Sequence, residues 1–281
     1  MFSEIHPVRA ALDNEDGIFI TIDSFEGSSP REVGAWMLVL ADEVLGTVGG
    51  GNLEFQAIAQ ARTLLTTQAL RPVDELRRYP LGPSLGQCCG GVVHLKFHFI
   101  QSEDAIKKEA AYAHIQWARS LNTMQIALFG GGHVGKALAR VLGTLACAVQ
   151  WIDSRDEIFP TDIAGNVQCE HSAPVHAAVH HLPAGSHVLI MSFSHAEDLD
   201  VVAACLVRLR EKNDLGFIGL IGSKTKWATF RHRLVERGFS ADEIARITCP
   251  IGLQGIAGKE PEVIAVSVAA QLLALRSAAR P

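Results

Sequence analysis

The feature that most constrains this chain is a glycine cluster set between an apolar run and a helical one. Gly130-Gly131-Gly132-His133-Val134-Gly135 fits G-x-G-x-x-G and joins the strand-like run Met124–Phe129 to the helical pattern Lys136–Leu145. The next apolar run, Ala148–Ile152, ends at Asp153, about where a ribose-binding acid is expected. Glycine permits the tight turn, and the opening of the helix offers free N–H groups and partial positive charge to a phosphate. Apolar runs at His187–Phe193 and Phe217–Ile221 then alternate with helical stretches at Asp198–Arg210 and Lys226–Arg237. This alternation predicts a parallel sheet with helices on both faces. Pro261–Arg276, with proline at a first helical position, adds a last helix. The setting supports a Rossmann-like fold more strongly than bound NAD(P), because one fold hosts many ligands. Arg155 either accommodates the extra phosphate of NADP or is a solvated loop charge.

Before residue 120 the rhythm is different. Gly17–Ile22 and Ala35–Leu40 are β-rich apolar runs, and Ala41-Asp42-Glu43 turns into Val44–Val48 to give a hairpin. Gly49-Gly50-Gly51 leads to Asn52, the expected N-cap of an alanine-rich helix over Leu53–Leu65. A strand over Val92–Ile100 and a helix within 101–120 follow, the latter expected to link the halves. The fold class is therefore α/β, an N-terminal α+β domain over 1–118 followed by a Rossmann-like parallel-sheet domain with a C-terminal helix over 119–281.

Composition narrows the function classes. A net charge of −5, with no basic run, makes a poor nucleic-acid binder. Neither a signal peptide nor a membrane-spanning run is read, so no membrane role is expected. Six cysteines in 281 residues, most within apolar segments, do not resemble a disulfide framework, and a reduced cytoplasmic protein is expected.

Four of those cysteines are scattered singly, at Cys147, Cys169, Cys205 and Cys249, whereas Cys88 and Cys89 are adjacent in Gly-Gln-Cys-Cys-Gly-Gly. Glycines on both sides suit an accessible nucleophile, soft-metal ligand or redox pair, and equally allow two small buried residues in a turn. Other polar turns fall at strand ends. Ser194-His195, with Asp198 and Asp200, is either a metal set or a helix opening whose acids complement the dipole, the second being favoured. Gly222-Ser223-Lys224-Thr225-Lys226 is a candidate anion loop in which Ser223, Lys224 and Lys226 take part, and Lys259 adds a further positive charge. Gly27-Ser28-Ser29-Pro30-Arg31 and the turn containing Gly50 and Gly51 are the matching loops of the first half. The second opens a helix and so is a second candidate phosphate site. Glu54 and His133 read as ordinary helix-start residues. With no visible triad partner for Glu54 or His133, and neither an H-E-x-x-H nor a P-loop, hydrolase chemistry is left without support.

Taken together, these segments resemble the XdhC/CoxI family, accessory proteins that mature molybdenum hydroxylases such as xanthine dehydrogenase. The resemblance runs through GSSPREVGAWMLV, GTVGGGNLE, GQCCGG, FGGGHVGKAL, WIDSRDEIFP, FIGLIGSKTKWATFRHRL and PIGLQGIAGKEPEVIAVSVAAQLL, nearly the whole chain. One turn departs. Where the family reads along the lines of T-H-D-H-D-L-D, this chain has Ser194-His195-Ala196-Glu197-Asp198-Leu199-Asp200, which leaves His195, Asp198 and Asp200 as the matching positions.

The resemblance implies a carrier of molybdenum cofactor (Mo-molybdopterin). Such a carrier presents the cofactor to a cysteine desulfurase, where an oxo ligand is exchanged for sulfur, and delivers it to an apo xanthine dehydrogenase or related molybdenum hydroxylase. That cargo has a terminal phosphate, a polar pterin and a soft Mo–dithiolene head. Glycine turns and lysines suit the first, and Cys88 and Cys89 suit the last, as ligand or sulfur relay. The residues expected to touch cofactor are Cys88, Cys89, Gly50, Gly51, Gly130, Gly132, His133, Gly135, Asp153, Arg155, His195, Ser223, Lys224 and Lys226. Release of cargo calls for a cleft that opens, with a hinge near 101–122. A homodimer is compatible with the family, without a signature here. Two rivals stand beside this reading: an NAD(P)-dependent oxidoreductase using the GGGHVG turn, and a regulatory nucleotide-binding module.

Overall fold

The computed structural model describes residues 5–67, 74–81, 91–120 and 123–278. They form two compact units that divide between Leu121 and Asn122. No helix among the described residues is long and apolar enough to cross a membrane.

The N-terminal unit runs α1 (Ile5–Leu12), β1 (Gly17–Glu26), β2 (Trp36–Val39), β3 (Val44–Gly46), α2 (Gly51–Thr66), β4 (Glu75–Leu81), β5 (Gly91–Ile100) and α3 (Ala105–Ser120). Its sheet has the order β3-β2-β1-β5-β4, with every neighbouring pair antiparallel. Successive strand residues point to opposite faces. Ile18, Ile20 and Ile22 accordingly pack with Leu53, Ala57 and Ala61 of α2, while Phe19 packs on the other side with Leu12 of α1 and Tyr112 and Ile115 of α3. Helices on both faces explain why β1 opens as an unbroken apolar run. The same packing makes α3 part of this unit's core rather than a free connector.

The C-terminal unit runs β6 (Met124–Phe129), α4 (His133–Gly143), β7 (Cys147–Asp153), β8 (Val167–His171), β9 (His187–Ile190), α5 (His195–Glu211), β10 (Ile218–Leu220), α6 (Lys224–Glu236), α7 (Ala241–Ile244), β11 (Ile247–Thr248) and α8 (Pro261–Ala278). Two 3₁₀ segments, Asp156–Ile158 and Val175–His181, flank β8. The sheet is parallel, in the order β11-β10-β9-β6-β7-β8. One face is covered by α4 and α8 through Leu138, Leu142, Val268 and Leu272, the other by α5, α6 and the second 3₁₀ segment. This is a Rossmann-like domain. β6 and β9 are neighbours in space but not in sequence, so the winding reverses between them, and open α/β sheets bind ligands at that point.

Helix starts differ from the sequence reading. Ser194 caps α5, its hydroxyl accepting from the Glu197 N–H, and Ser223 caps α6, accepting from the Lys226 N–H. Both helices thus begin before Asp198 and Lys226. Asn52 is not the cap of α2, because Gly50 holds that position and Asn52 Oδ1 accepts from Gln56 Nε2 inside the helix.

A histidine at the sheet's base carries a pH dependence. His187 Nδ1 accepts from the Phe217 N–H at 3.0 Å, which fixes the neutral ring, and burial lowers its pKa below 6.5. The unfolded chain therefore takes up this proton first. The His187 contribution is present above pH 6.5 and is lost as pH falls through the folded pKa. Compared with wild type, His187→Gln, which keeps an acceptor, should flatten the decline in unfolding free energy below that pH, by no more than about 1.4 kcal/mol per pH unit. Urea titrations at several pH values read this, and parallel curves would count against it.

Candidate functional site

The glycine turn after β6 is built by close contact. Gly130 has φ 117°, its N–H donates to the Ile152 carbonyl at 2.8 Å, and its carbonyl accepts from Trp151 Nε1 at 2.9 Å. A Cβ on Gly130 would land on the Met191 carbonyl oxygen, and one on Gly135 would land on the carbonyl of Gly130. Both glycines are thus required by the fold of the turn. Gly132 and His133 are exposed, and Gly132 caps α4 with no side-chain hydrogen bond. The opening of α4 is free to meet an anion there.

Asp153 is committed inside the protein. It is only 1% exposed, and one oxygen accepts from the Gly131 N–H at 2.5 Å and from Arg155 Nη2 at 2.9 Å. The other accepts from the backbone N–H and Nε of Arg155, both at 2.9 Å. Burial pushes its pKa up, but the hydrogen bonds from Arg155 and Gly131 outweigh that and hold the carboxyl below the usual range. Asp153 therefore locks the glycine turn, with neither oxygen left idle. Arg155, read from sequence as a phosphate partner or solvated charge, is the other half of this lock.

The same lip reaches across the end of β6. Arg155 lies 4.3 Å from the ring centre of Phe193, which follows β9, and Ser154 Oγ donates to Glu197 Oε1 of α5 at 2.6 Å. β7 and β9 flank β6 in the sheet, so these two contacts join the outer lips across the carboxyl end of the middle strand.

Further along, one residue read as part of an anion loop is paired with one read as part of a metal set. Lys226 Nζ donates to Asp198 Oδ2 at 2.6 Å and to the Ile221 carbonyl at 2.9 Å, and lies over the Phe230 ring. Asp198 also accepts from the Ser192 N–H at 2.7 Å, and burial raises its pKa against the pull of Lys226. Asp200 pairs with Arg237 at 2.8 Å, while His195 is exposed and meets Phe230 edge-on. His195, Asp198 and Asp200 therefore do not converge. Among the described residues, no three His, Cys, Asp or Glu side chains are grouped to hold a metal ion. Ser223 is a cap, and Lys224 and Lys259 are exposed.

In the N-terminal unit the glycine turn before α2 is held by Glu54. Its Oε2 accepts from the N–H groups of Val48 and Gly50, at 3.1 and 3.0 Å, and from the Thr47 hydroxyl. A carboxylate already sits where Gly50 and Gly51 were read as receiving a phosphate. Leu81 and Gly91 are register partners, and a Cβ on Gly91 would strike the Ser28 carbonyl, so the Gly27–Arg31 loop abuts the start of β5. Cys88 and Cys89 lie outside the described residues.

Ser154, Phe193 and Glu197 are not singled out by the sequence reading, and Glu54 is read there only as a helix-start acid. Glu54 carried one usable signal, an acid three residues after an all-glycine helix opening. Phe193 was absorbed into the strand run, and nothing in the spacing of Ser154 and Glu197 announces their pairing.

Residues 126–272 match the family model described as the XdhC Rossmann domain, and residues 10–80 match that of the XdhC and CoxI family. The chain belongs to the XdhC and CoxI family. YqeB of Escherichia coli K12, an uncharacterized protein, is 25% identical over 258 residues, covering 91% of this chain. The chain spans 42% of YqeB's length. The molybdenum cofactor insertion chaperone PaoD of the same organism is 21% identical over 299 residues, covering 96% of this chain and 86% of PaoD. The crystal structure of a xanthine dehydrogenase from Bacillus halodurans has the same fold. Its TM-score is 0.75 at 19% identity, over 99% of this chain and 97% of that one.

Proposed function

We propose that this XdhC-family chain is an accessory protein that carries molybdenum cofactor. It holds the Mo-molybdopterin form, presents it to a cysteine desulfurase for sulfuration, and hands it to an apo molybdenum hydroxylase of the xanthine dehydrogenase type. Family membership and the likeness to PaoD support an accessory role around a molybdenum enzyme.

The observation that carries the choice of cargo is the joined lip of the Rossmann turn. A dinucleotide in this fold needs a free acid for its ribose and a clear path for its pyrophosphate over the glycine turn. Asp153 is taken by Arg155 and Gly131, and the path is bridged by Arg155 on Phe193 and Ser154 on Glu197. The opening of α4 at Gly132 and His133 stays exposed, enough for the one terminal phosphate of molybdenum cofactor. The turn at Gly50 and Gly51 is the weaker phosphate candidate, because Glu54 would repel the anion. Cys88 and Cys89 are assigned to the molybdenum end, as ligand or sulfur relay.

Anaerobic equilibrium binding of the intact cofactor tests this reading, with wild type and a Cys88→Ala/Cys89→Ala variant compared and NAD(H) titrated in parallel. Wild type is expected to bind cofactor, and the variant at least about tenfold more weakly, a loss of about 1.4 kcal/mol. Equal binding by both proteins would remove the thiols from the site. Binding of NAD(H) but not of cofactor would move the function to the NAD(P)-dependent oxidoreductase.

A further inference from the structure

We propose that Phe193, backed by Arg155, is a stacking platform for the pterin ring of the cargo. The proposal rests on the carrier reading above and assigns the heterocycle to a surface of this chain. Phe193 is 65% exposed, and scattered exposed apolar residues are ordinary on a protein surface. This ring differs because it is held from beneath. Its guanidinium neighbour, 4.3 Å from the ring centre, is clamped through Nε and Nη2 to Asp153, each at 2.9 Å, and Asp153 is itself buried and bound to the Gly131 N–H. The stack thus grows outward from a fixed carboxylate, so little order remains to be created when a ligand arrives. With one face under Arg155, an exposure of 65% leaves the opposite face open.

Position and chemistry point to the same ligand. Phe193 follows Met191, whose carbonyl lies where a Gly130 Cβ would be, so the ring stands beside the turn that leads to Gly132 and His133. Arg155 Nη1 makes no hydrogen bond among the described residues, while Nε and Nη2 are used by Asp153. A flat π face beside an unused N–H donor matches the pyrimidinone ring of a pterin, which is planar and edged with carbonyl and ring-nitrogen acceptors. Aromatic stacking of this kind tolerates ring chemistry, and the donor adds preference.

The test compares wild type, Phe193→Ala and Phe193→Tyr in full-length protein. The probes are intact molybdenum cofactor and a soluble 6-hydroxymethylpterin, which lacks molybdenum and dithiolene. Phe193→Ala is expected to weaken binding of both probes by about 5- to 100-fold, and Phe193→Tyr to stay within about threefold of wild type. Pterin fluorescence should be quenched by wild type and the tyrosine variant, not by the alanine variant. Circular dichroism of each variant keeps a folding defect from passing as lost binding, and Phe193→Tyr alone decides whether an aromatic ring suffices. If wild type and Phe193→Ala bind intact cofactor equally, the platform is wrong while the carrier reading stands. Equal losses in the alanine and tyrosine variants also overturn it. If wild type binds no cofactor at all, it is the carrier reading that fails. If Phe193→Ala weakens NAD(H) alone, the surface serves a purine and the pterin assignment is withdrawn.

Discussion

Replacing Arg208 with alanine is expected to destabilise the C-terminal unit by about 2–4 kcal/mol. Its side chain is 3% exposed, and its fork donates to the Val179 carbonyl at 2.6 Å, the Leu182 carbonyl at 2.8 Å and both oxygens of Asp214 at 2.8 Å. Those acceptors close the 3₁₀ segment before β9 and the turn before β10, so one guanidinium fastens two loops to α5. Alanine leaves two buried carbonyls without donors and a cavity where the side chain packed. Orphaned groups of this kind cost more than the bonds themselves contribute. Lysine should recover only a minor part, because an ammonium cannot reach acceptors spread in a fork. Urea denaturation reads the effect as a lower midpoint at unchanged slope. A loss below about 0.5 kcal/mol, the usual scale for a surface substitution, would show that the network is dispensable.

Arg208 also illustrates what a linear reading leaves out. It lies in a helical stretch the sequence does reveal, yet its partners are 26 and 29 residues upstream and 6 downstream. Elements were legible where burial on a single period dominates. The run Met124–Phe129 has the bounds of β6, and the run Gly17–Ile22 is the buried part of β1, whose exposed end at 23–26 shows no apolar pattern. Edge elements were not. β4 reads Glu-Leu-Arg-Arg-Tyr-Pro-Leu, with charges and a proline suited to an edge, since one side has no strand partner among the described residues. β8 is short and mostly exposed for the same reason, and β11 has two residues. None shows the apolar alternation that marks a half-buried strand.

The site divides along the same line. The glycine turn and its acid were visible because backbone geometry forces residue type and spacing there. What the acid does was not, since a ribose-binding aspartate and one that bonds Arg155 and Gly131 have the same spacing. Lys226 is a similar case. As one residue of a turn it resembles a free cation, and only its approach to Asp198, 28 residues away, shows it to be half of a buried pair. Charge in a sequence is a supply of ions, and the fold decides which are neutralised internally. Once these pairs are formed, the exposed polar surface at the β6 turn contracts to Gly132, His133 and the Phe193–Arg155 stack. On the carrier reading proposed above, one phosphate and one flat ring would meet that small surface.

Two glycines of this turn should respond in opposite ways. Gly130→Ala places a side chain at φ 117°, outside the regions open to L-residues, and drives its Cβ into the Met191 carbonyl. Neither β6 nor β9 can retreat, since the Met191 N–H is bonded to the Phe129 carbonyl at 2.8 Å and both strands are buried in the sheet. The expected cost exceeds about 4 kcal/mol, a large share of the roughly 5–15 kcal/mol that ordinarily holds a domain folded. Gly132→Ala is the matched control. Its φ is −67° and a Cβ there meets nothing within 4 Å, so stability should stay within about 1 kcal/mol of wild type. Near-UV circular dichroism and urea midpoints separate the two. A Gly130→Ala protein as stable as wild type would mean the turn can be rebuilt. If instead Gly132→Ala keeps its stability but loses affinity for the intact cofactor, the exposed opening of α4 is where the phosphate sits, because that variant leaves the locked interior of the turn untouched.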